Sequence, residues 1–427
     1  MNFLRFPPAL LLATLLFTAC STTPTPPVAL SQEAPAPATS RPTVLLISLD
    51  GVRPEFLGRG DTPHLDRLAR EGVKAQWMNP SYPSLTFPNH YTLVTGLRPD
   101  HHGIVHNTMQ DEALGRFLLS NRDAVGDSRW WSGEPIWVGA EKAGLATATL
   151  AWPGSEAEIQ GIRPTRWSHF DAERLIETRV DMVTGWLTEP VSTRPKLATL
   201  YFEHPDAAAH AHGPGSDELR DALRKADAGI GEVLARLEQT GALDDTNIIV
   251  VSDHGMAEVP EGQVVATQDM VNPDIADVVM SGQVIGFAPR AGHEQQAEAA
   301  LLGRHAQYQC WRKGELPQRW HYGTHPRIPA IICQMDKGWD ALPQEYIARR
   351  PAGTRGSHGY DPAHEEMRAI FIARGPSFHQ GMTIPGFDNV DVYSLLAHLL
   401  GIPPAPNDGN PDTLKPILRQ ASTAPHH

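Results

Sequence analysis

The architecture of this chain follows from residues 43 to 50, which read Thr43-Val44-Leu45-Leu46-Ile47-Ser48-Leu49-Asp50. A continuous, mostly apolar run that ends in a carboxylate is typical of a strand buried on both faces. Residues 247 to 253 repeat that form, and residues 196 to 202 make a third run with Asp206 just beyond its end. The three runs predict strands that place acidic residues at the same edge of one sheet.

Helical patterns alternate with these strands. Apolar residues between Leu219 and Leu237 recur about every 3.6 positions, and Gly241 follows as the expected residue just past the helix end. Residues 390 to 400, followed by Gly401, predict a last helix of the same kind. Strand, crossover helix and strand in this order predict an α/β fold with a mostly parallel central sheet and helices on both faces. In such sheets, ligands bind beyond the carboxyl ends of the strands.

The charge balance excludes some classes of function. The 427 residues include 36 Lys and Arg against 49 Asp and Glu, a net charge of −13, and 41% of the residues are hydrophobic. A full core can therefore be buried, and neither wholesale disorder nor a multi-span membrane protein fits this composition. Because an acidic surface repels polyanions, we expect no nucleic-acid binding by charge. A phosphate-bearing ligand must be held locally, by metal ions or helix N-termini.

Residues 1 to 20 have the form of an export signal, with Arg5 before an apolar run and small residues before Cys20. Their end, Leu16-Phe17-Thr18-Ala19-Cys20, is similar to a bacterial lipoprotein box, although Phe17 stands where Leu is usual. The alternative is an ordinary cleaved signal that contains a cysteine. We predict an exported bacterial protein, periplasmic or anchored at the outer membrane, whose only membrane contact is a lipid on Cys20.

The rest of the chain divides by composition. Residues 21 to 42 are rich in Pro, Thr, Ser and Ala and predict a flexible tether. Residues 43 to 403 form the predicted main domain, and residues of about 260 to 350 break its rhythm and predict an inserted subdomain that packs over the end of the sheet. Residues 404 to 427 predict a loose tail.

Two cysteines remain after Cys20, namely Cys310 and Cys333, and both lie in the predicted insertion. Two thiols in an oxidising compartment can pair, so we predict a disulfide between them. The alternative is two separate buried thiols.

Side chains with metal-ligand chemistry gather where strands are predicted to end. They comprise three carboxylates and three imidazoles without a thiolate, a set that suits zinc or a similar divalent ion: Asp50, Asp206, His210, Asp253, His254 and His358. A single buried histidine is more often an ordinary core residue than a ligand. Because several separate strand ends supply the same chemistry, the sequence favours a two-metal site.

Five motifs in this chain resemble the nucleotide pyrophosphatase/phosphodiesterase family of the alkaline phosphatase superfamily. They are Leu49-Asp50-Gly51, Pro83-Ser84-Leu85-Thr86-Phe87-Pro88-Asn89-His90, His102-Gly103-Ile104-Val105-His106-Asn107, Ser252-Asp253-His254-Gly255-Met256 and Gly356-Ser357-His358-Gly359-Tyr360-Asp361. The resemblance covers residues 42 to about 404. It implies an alkaline phosphatase-like α/β fold and makes residues 43 to 403 a phosphodiesterase catalytic domain.

The resemblance also implies roles for single residues. Thr86 would be the nucleophile, and Asn107 would contact a phosphoryl oxygen. Two Zn²⁺ ions would be held, one by Asp50, Thr86, Asp253 and His254, the other by Asp206, His210 and His358. Ala209 stands where the family usually has glycine, and we expect a small backbone adjustment there without loss of the ligand His210. The alternatives are a helix N-cap for Thr86 and a turn residue for Asn107.

The predicted substrate-facing residues are Tyr201 and Phe170, which resemble the family's base-stacking positions. Leu119 is a weaker candidate, for an apolar wall of the substrate site. The alternative for Tyr201 and Phe170 is that both fill the core. The resemblance implies zinc-dependent hydrolysis of nucleotide phosphodiester or pyrophosphate bonds through a covalent threonine intermediate, with release of a nucleoside 5′-monophosphate. The rivals are a phosphomonoesterase or a phospholipid/choline phosphodiesterase of the same superfamily, and a non-catalytic surface binding protein.

Overall fold

An eight-stranded mixed sheet lies at the centre of the computed structural model, which describes residues 41 to 419. The predicted signal, Cys20, most of the tether and the last eight residues lie outside this range. Within it, the central sheet has the spatial order Met382–Ile384, Val73–Ala75, Phe371–Arg374, Thr246–Val251, Thr43–Leu49, Leu197–Phe202, Thr147–Leu150 and Arg166–Ser168. Of these strands, Phe371–Arg374 runs antiparallel to its neighbours and the other seven run parallel.

Helices cover both faces of this sheet because the buried strands supply apolar side chains to both. In Thr43–Leu49, Val44 and Leu46 pack into one core, whereas Leu45 and Ile47 pack into the other. The first core is covered by Thr86–Thr95, Ile136–Lys142 and Asp391–Leu400, and the second by Pro63–Glu71, Ile176–Leu187 and Asp217–Gln239. The predicted fold class is confirmed.

The helix ends carry the expected signals. Asp217–Gln239 begins after Ser216, whose Oγ accepts a hydrogen bond from the Leu219 amide at 3.2 Å, and Gly241 follows it with a φ of 72°. Asp391–Leu400 ends at Gly401, with a φ of 69°. The remaining α-helices of the described residues are Pro99–His102, Arg122–Gly126, His204–His212, Thr267–Met270, Glu294–Leu301 and Gln344–Ile347. Among residues 41 to 419, no helix combines the length and apolar character that a membrane span requires.

The predicted insertion contains a second, antiparallel sheet. Its spatial order is Ala276–Met280, Val284–Pro289, Ile331–Met335, Tyr308–Arg312 and Gly303–Arg304. Ile331–Met335 is buried along its whole length, which is why its sequence shows no alternation of apolar and polar residues. Cys310 and Cys333 pair directly across two neighbouring strands and form the predicted disulfide.

Four two-stranded sheets complete the described strands. They pair Ala257–Val259 with Arg355–Ser357, Val264–Ala266 with Asp340–Leu342, Met78–Asn79 with Phe387–Asp388, and Thr108–Asp111 with Gly115–Leu118. The first pair joins the chain that enters the insertion to the chain that leaves it.

The prediction of a loose tail is wrong for residues 404 to 419. Leu414 and Ile417 are buried in the first core, and an Asp408 carboxylate oxygen accepts a hydrogen bond from the Arg98 amide at 2.7 Å. The many Pro, Asn, Asp and Gly residues of this stretch exclude a regular helix or strand. They do not prevent two apolar side chains from anchoring an irregular segment to the core.

Candidate active site

The carboxyl ends of the parallel strands bring the predicted ligands together. Asp50 directly follows the strand Thr43–Leu49. One residue, Ser252, separates the strand Thr246–Val251 from Asp253 and His254. In one group, ligand atoms of Asp50, Asp253 and His254 all lie within 4.8 Å of one another. A second group satisfies the same limit with Asp206, His254 and His358. His254 belongs to both groups.

The first group is buried and crowded with negative charge. His254 Nε2 lies 3.0 Å from Asp253 Oδ2 and 3.5 Å from Asp50 Oδ1. Burial and the neighbouring carboxylates of Asp253 and Asp206 raise the pKa of Asp50 well above its ordinary value. Burial would also raise the pKa of Asp253, but the rings of His254 and His90 hold it well below its ordinary value. A cation between these carboxylates would relieve their repulsion.

Glycine shapes the turn that holds the first group. Gly51 has a φ of 69°, and its amide donates to Asp253 Oδ1 at 3.3 Å. A Cβ at this position would lie 3.1 Å from Asp206 Oδ1. Gly51 thus permits both the turn after Asp50 and the close approach of the helix that carries Asp206.

The second group takes ligands from a helix and a loop. Asp206 and His210 lie one turn apart on His204–His212, with His210 Nε2 3.4 Å from Asp206 Oδ2. His358 Nε2 lies 3.5 Å from Asp206 Oδ1, and the His358 ring stacks on His254 at 3.6 Å between centroids. Burial and the nearby His254 and His210 lower the pKa of His358 well below its ordinary value, which keeps its ring neutral and able to bind a metal.

Backbone carbonyls orient the two histidines of this group. His358 Nδ1 and His210 Nδ1 each donate a hydrogen bond of 2.9 Å, to the carbonyls of Ser84 and Gly356. With Nδ1 protonated in this way, Nε2 of each ring is the free lone pair for a metal. Ala209, which stands where the family usually has glycine, is buried within the regular helix. Its carbonyl oxygen approaches Gly356 so closely that a Cβ at position 356 would lie only 2.5 Å from that oxygen.

The donor set fits divalent cations. Among residues 41 to 419, three buried carboxylate oxygens of the site have no hydrogen-bond partner: Asp50 Oδ1, Asp206 Oδ1 and Asp253 Oδ2. Buried oxygens of this kind are costly unless a positive charge or donor meets them. His210 is the predicted ligand that stands at the edge of the site: its side chain is 38% exposed, and neither close group includes it.

Thr86 is the first residue of Thr86–Thr95 and faces the first group. Its Oγ1 lies 3.2 Å from His254 Nε2, and Leu85 occupies the N-cap position without a side-chain cap bond. The alternative of a Thr86 N-cap is therefore wrong. Instead, the Asn107 side chain serves this helix end, since its Oδ1 accepts from the Phe87 amide at 3.0 Å. The positive end of the helix dipole thus lies at the site, where it favours an anion.

The predicted substrate-facing residues lie in two places. Tyr201 is 6% exposed, and its hydroxyl donates a hydrogen bond to Asp50 Oδ2. Its ring lies 6.1 Å from that of Phe170, which is partly buried and whose amide donates to Glu156 Oε1 at 2.9 Å. Leu119 follows the strand Gly115–Leu118, in a different element, and is 36% exposed.

Sequence reasoning missed two residues next to Thr86. Phe87 is partly exposed, with its ring about 6 Å from those of Phe117 and Trp131. His90 is fully buried and contacts both the Thr86 carbonyl and Asp253. The signal was available, because Thr86 and His90 are four apart on one helix and so lie on the same face.

Residues 44 to 361 match the sequence model of the family described as type I phosphodiesterase / nucleotide pyrophosphatase. This chain belongs to that family. The predicted family and its enzyme class, nucleotide pyrophosphatase/phosphodiesterase, are thereby confirmed. The bacterial origin stays a prediction.

Two similar proteins carry names that agree with this assignment. The chain is 35% identical to an uncharacterized pyrophosphatase/phosphodiesterase of Schizosaccharomyces pombe, over 89% of this chain and 81% of the relative. It is 34% identical to ectonucleotide pyrophosphatase/phosphodiesterase family member 3 of Rattus norvegicus, over 93% of this chain but 46% of the relative. The chain thus spans about half the length of the rat relative.

Solved structures extend the similarity to the fold. Murine ectonucleotide pyrophosphatase/phosphodiesterase 5 superimposes with a TM-score of 0.83 at 32% identity, over 88% of this chain and all of that one. An inactive threonine-to-alanine variant of the same murine protein, in complex with AMP, gives the same score. The α/β architecture of this chain is therefore that of the family.

Proposed function

We propose that this protein is a zinc-dependent phosphodiesterase that cleaves nucleotide phosphodiester or pyrophosphate bonds and releases a nucleoside 5′-monophosphate. The observation that carries the proposal is the position of Thr86 Oγ1, at a helix N-terminus and 3.2 Å from a histidine of a buried carboxylate and imidazole cluster. When bound, two zinc ions would act as Lewis acids that stabilise negative charge on the attacking and leaving oxygens.

The protein's own groups would divide the remaining work. Thr86 Oγ1 would attack phosphorus and lose its proton to solvent, and the bond to the leaving oxygen would break with its electron pair. Water would then add to the phosphorus of the nucleotidyl-threonine and break its bond to Oγ1, which releases the nucleoside 5′-monophosphate and returns a proton to the Thr86 hydroxyl. The Thr86 amide and the Asn107 side-chain nitrogen would hold the phosphoryl oxygens, an electrostatic contribution that grows as charge develops.

Charge and aromatic surface favour a nucleotide diester. A dissociated monoester carries two negative charges and a diester one, and residues 80 to 94 around Thr86 contain no Lys or Arg. Phe170 and the partly exposed Phe87 would offer ring faces for a base. The AMP bound to an inactive murine relative supports this choice, since AMP is a nucleoside 5′-monophosphate.

A side-by-side assay tests the proposal. The assay compares kcat/KM for four substrates that carry the same leaving group: a nucleotide diester, a monoester, a choline phosphodiester and a methyl diester. We expect the nucleotide diester to be the best substrate. Phe170→Ala should lower its kcat/KM roughly 5-fold to 150-fold, the equivalent of ~1 to 3 kcal/mol of stacking, and should spare the methyl diester.

Other results of this assay would identify the rivals. Preference for the monoester or the choline diester would replace the nucleotide assignment, and equal losses on both diesters would remove Phe170 from the base site. No hydrolysis of any substrate by the zinc-loaded protein would favour a binding protein.

We also propose that the protein is exported and anchored through an acylated Cys20. The lipobox-like sequence 16 to 20 supports this, because a short acylated segment anchors a protein without a spanning helix. Wild type should fractionate with membranes and Cys20→Ser should become soluble. Recovery of wild type in the soluble fraction alone would leave an ordinary cleaved signal.

A further inference from the structure

His90 joins three elements of the active site. Its Nε2 lies 2.8 Å from Ser48 Oγ, near the end of the strand Thr43–Leu49. Its Nδ1 lies 3.0 Å from the Thr86 carbonyl oxygen and 3.2 Å from Asp253 Oδ2. The side chain is fully buried, so water does not compete for these contacts.

These contacts fix where the ring carries its proton. Nδ1 donates its hydrogen bond to the Thr86 carbonyl, and Asp253 Oδ2 lies 3.2 Å from the same nitrogen as a close polar contact. In the neutral ring, Nε2 then accepts the hydroxyl proton of Ser48. Packing adds to this constraint, because the ring meets Trp152 edge-on at 5.1 Å and Tyr201 edge-on at 4.9 Å. His90 is held in one orientation by both hydrogen bonds and neighbouring rings.

The Nδ1 contacts link two groups whose relative placement matters for the reaction. One is the first turn of Thr86–Thr95, which carries the proposed nucleophile. The other is Asp253, one of whose oxygens accepts from the Gly51 amide at 3.3 Å while the other faces His90 and His254. Polar side chains that lie against a metal ligand set its orientation, and their loss typically lowers metal affinity about 10-fold to 100-fold.

We propose that His90 is a positioning residue that orients Asp253 for a divalent cation and ties that ligand to the backbone of Thr86. This inference rests on the proposed function only in requiring that the site binds a metal. It assigns no proton transfer to His90, since Nδ1 is engaged by the Thr86 carbonyl and Nε2 by the Ser48 hydroxyl.

Two substitutions separate the two sides of the ring. In His90→Asn, the amide nitrogen can replace Nδ1, which keeps the hydrogen bond to Thr86 and the polar contact with Asp253 and loses the contact with Ser48. In His90→Gln, the amide reaches the position of Nε2, which keeps the contact with Ser48 and loses both the hydrogen bond to Thr86 and the polar contact with Asp253. We expect His90→Gln to weaken the binding of one zinc ion about 10-fold to 100-fold, and His90→Asn to stay within about threefold of wild type.

The measurement is a titration of metal-free protein with Zn²⁺ in competition with a chromophoric chelator, accompanied by the thermal midpoint of the metal-free form. His102→Gln is the matched control. His102 is also fully buried and bonds to Thr92 Oγ1 and the Pro88 carbonyl at 3.1 Å, on the same helix, and none of its hydrogen bonds in the described part of the chain goes to a predicted metal ligand.

The outcomes are distinct. The positioning role is supported if His90→Gln binds zinc more weakly than wild type while His102→Gln binds it with unchanged affinity. The two variants should lose a similar amount of thermal midpoint in their metal-free forms. Equal zinc affinities in all variants would overturn the positioning role and leave the proposed function intact. A wild type that binds no zinc would overturn both.

Discussion

At the scale of single residues, the account depends on one oxygen atom. Thr86→Ala removes the attacking hydroxyl but leaves the six carboxylate and imidazole ligands in place. We expect turnover of a nucleotide diester to be abolished, with metal content and thermal midpoint close to wild type. Thr86→Ser keeps a hydroxyl and should retain measurable activity. These variants are compared by kcat on the same diester and by elemental analysis.

If the kcat of Thr86→Ala lay within about tenfold of the wild-type value, the variant would have lost only ~1.4 kcal/mol of transition-state stabilisation. That result would indicate attack by water and would remove the covalent intermediate.

Tyr201 shows what a residue's type leaves undetermined. Its aromatic ring and its position on the third predicted strand indicated a stacking surface, which stays a prediction. The structure gives the hydroxyl a partner, Asp50, and leaves little of the ring exposed. Burial also raises the pKa of Tyr201 well above its ordinary value, with the charge of Asp50 adding to the effect, so the hydroxyl stays a donor. A tertiary contact of this kind has no signature in local sequence.

At the scale of elements, predictability followed the burial pattern. The strands Thr43–Leu49 and Thr246–Val251 were readable because burial on both faces produces uninterrupted apolar runs. The long helix Asp217–Gln239 was readable because one face is buried, which yields a clear period. The second sheet was not readable, because strands such as Tyr308–Arg312 mix apolar and polar residues and Gly- and Pro-rich turns separate them. Its cysteines were the one local signal that predicted a contact.

The disulfide of the second sheet gives a stability prediction. Cys310 and Cys333 are 23 positions apart in the sequence. Because the disulfide restricts the unfolded chain, it should raise the free energy of unfolding by about 3 kcal/mol. Cys310→Ser should therefore lower the thermal midpoint, and the double variant Cys310→Ser, Cys333→Ser should lower it by about the same amount. Calorimetry of the oxidised proteins measures both. No shift, or a loss twice as large in the double variant, would contradict the cross-link as the cause.

At the scale of the whole molecule, two buried histidines couple stability to pH. Burial lowers the pKa of His102 to about 3 and that of His106 to about 4. In each ring Nδ1 accepts a backbone amide, from Ile104 at 3.1 Å and from Thr108 at 3.0 Å, so protonation would break that bond. An unfolded histidine has a pKa of about 6.5, so below that pH the unfolded chain binds protons that the folded chain does not.

The free energy of unfolding should therefore fall as the pH falls below about 6.5. Each of the two histidines should contribute a slope of about 1.4 kcal/mol per pH unit between pH ~6 and ~4.5. Denaturant unfolding of the metal-free protein measures the slope without metal release. His102→Gln should reduce the slope by about one such contribution, and an unchanged slope would show that His102 is protonated in the folded state.

The site as a whole was predictable to the extent that strand ends converge. The sheet topology places Asp50, Asp253 and His254 together from sequence alone, because the carboxyl ends of parallel strands share one edge. The sharing of His254 by two close groups, and the outer position of His210, depend on how helix His204–His212 packs against Gly356. Such distances are set by tertiary packing and have no counterpart in spacing along the chain.

The metal content of the purified protein, measured together with its activity, is the most direct test of this account. Elemental analysis should give about two zinc per chain, and His358→Ala should retain about one. Dialysis against a chelator should remove zinc and the hydrolysis of a nucleotide diester together, and added zinc should restore the activity. A chelated protein free of metal that hydrolyses the diester as fast as the zinc-loaded enzyme would contradict the two-ion site.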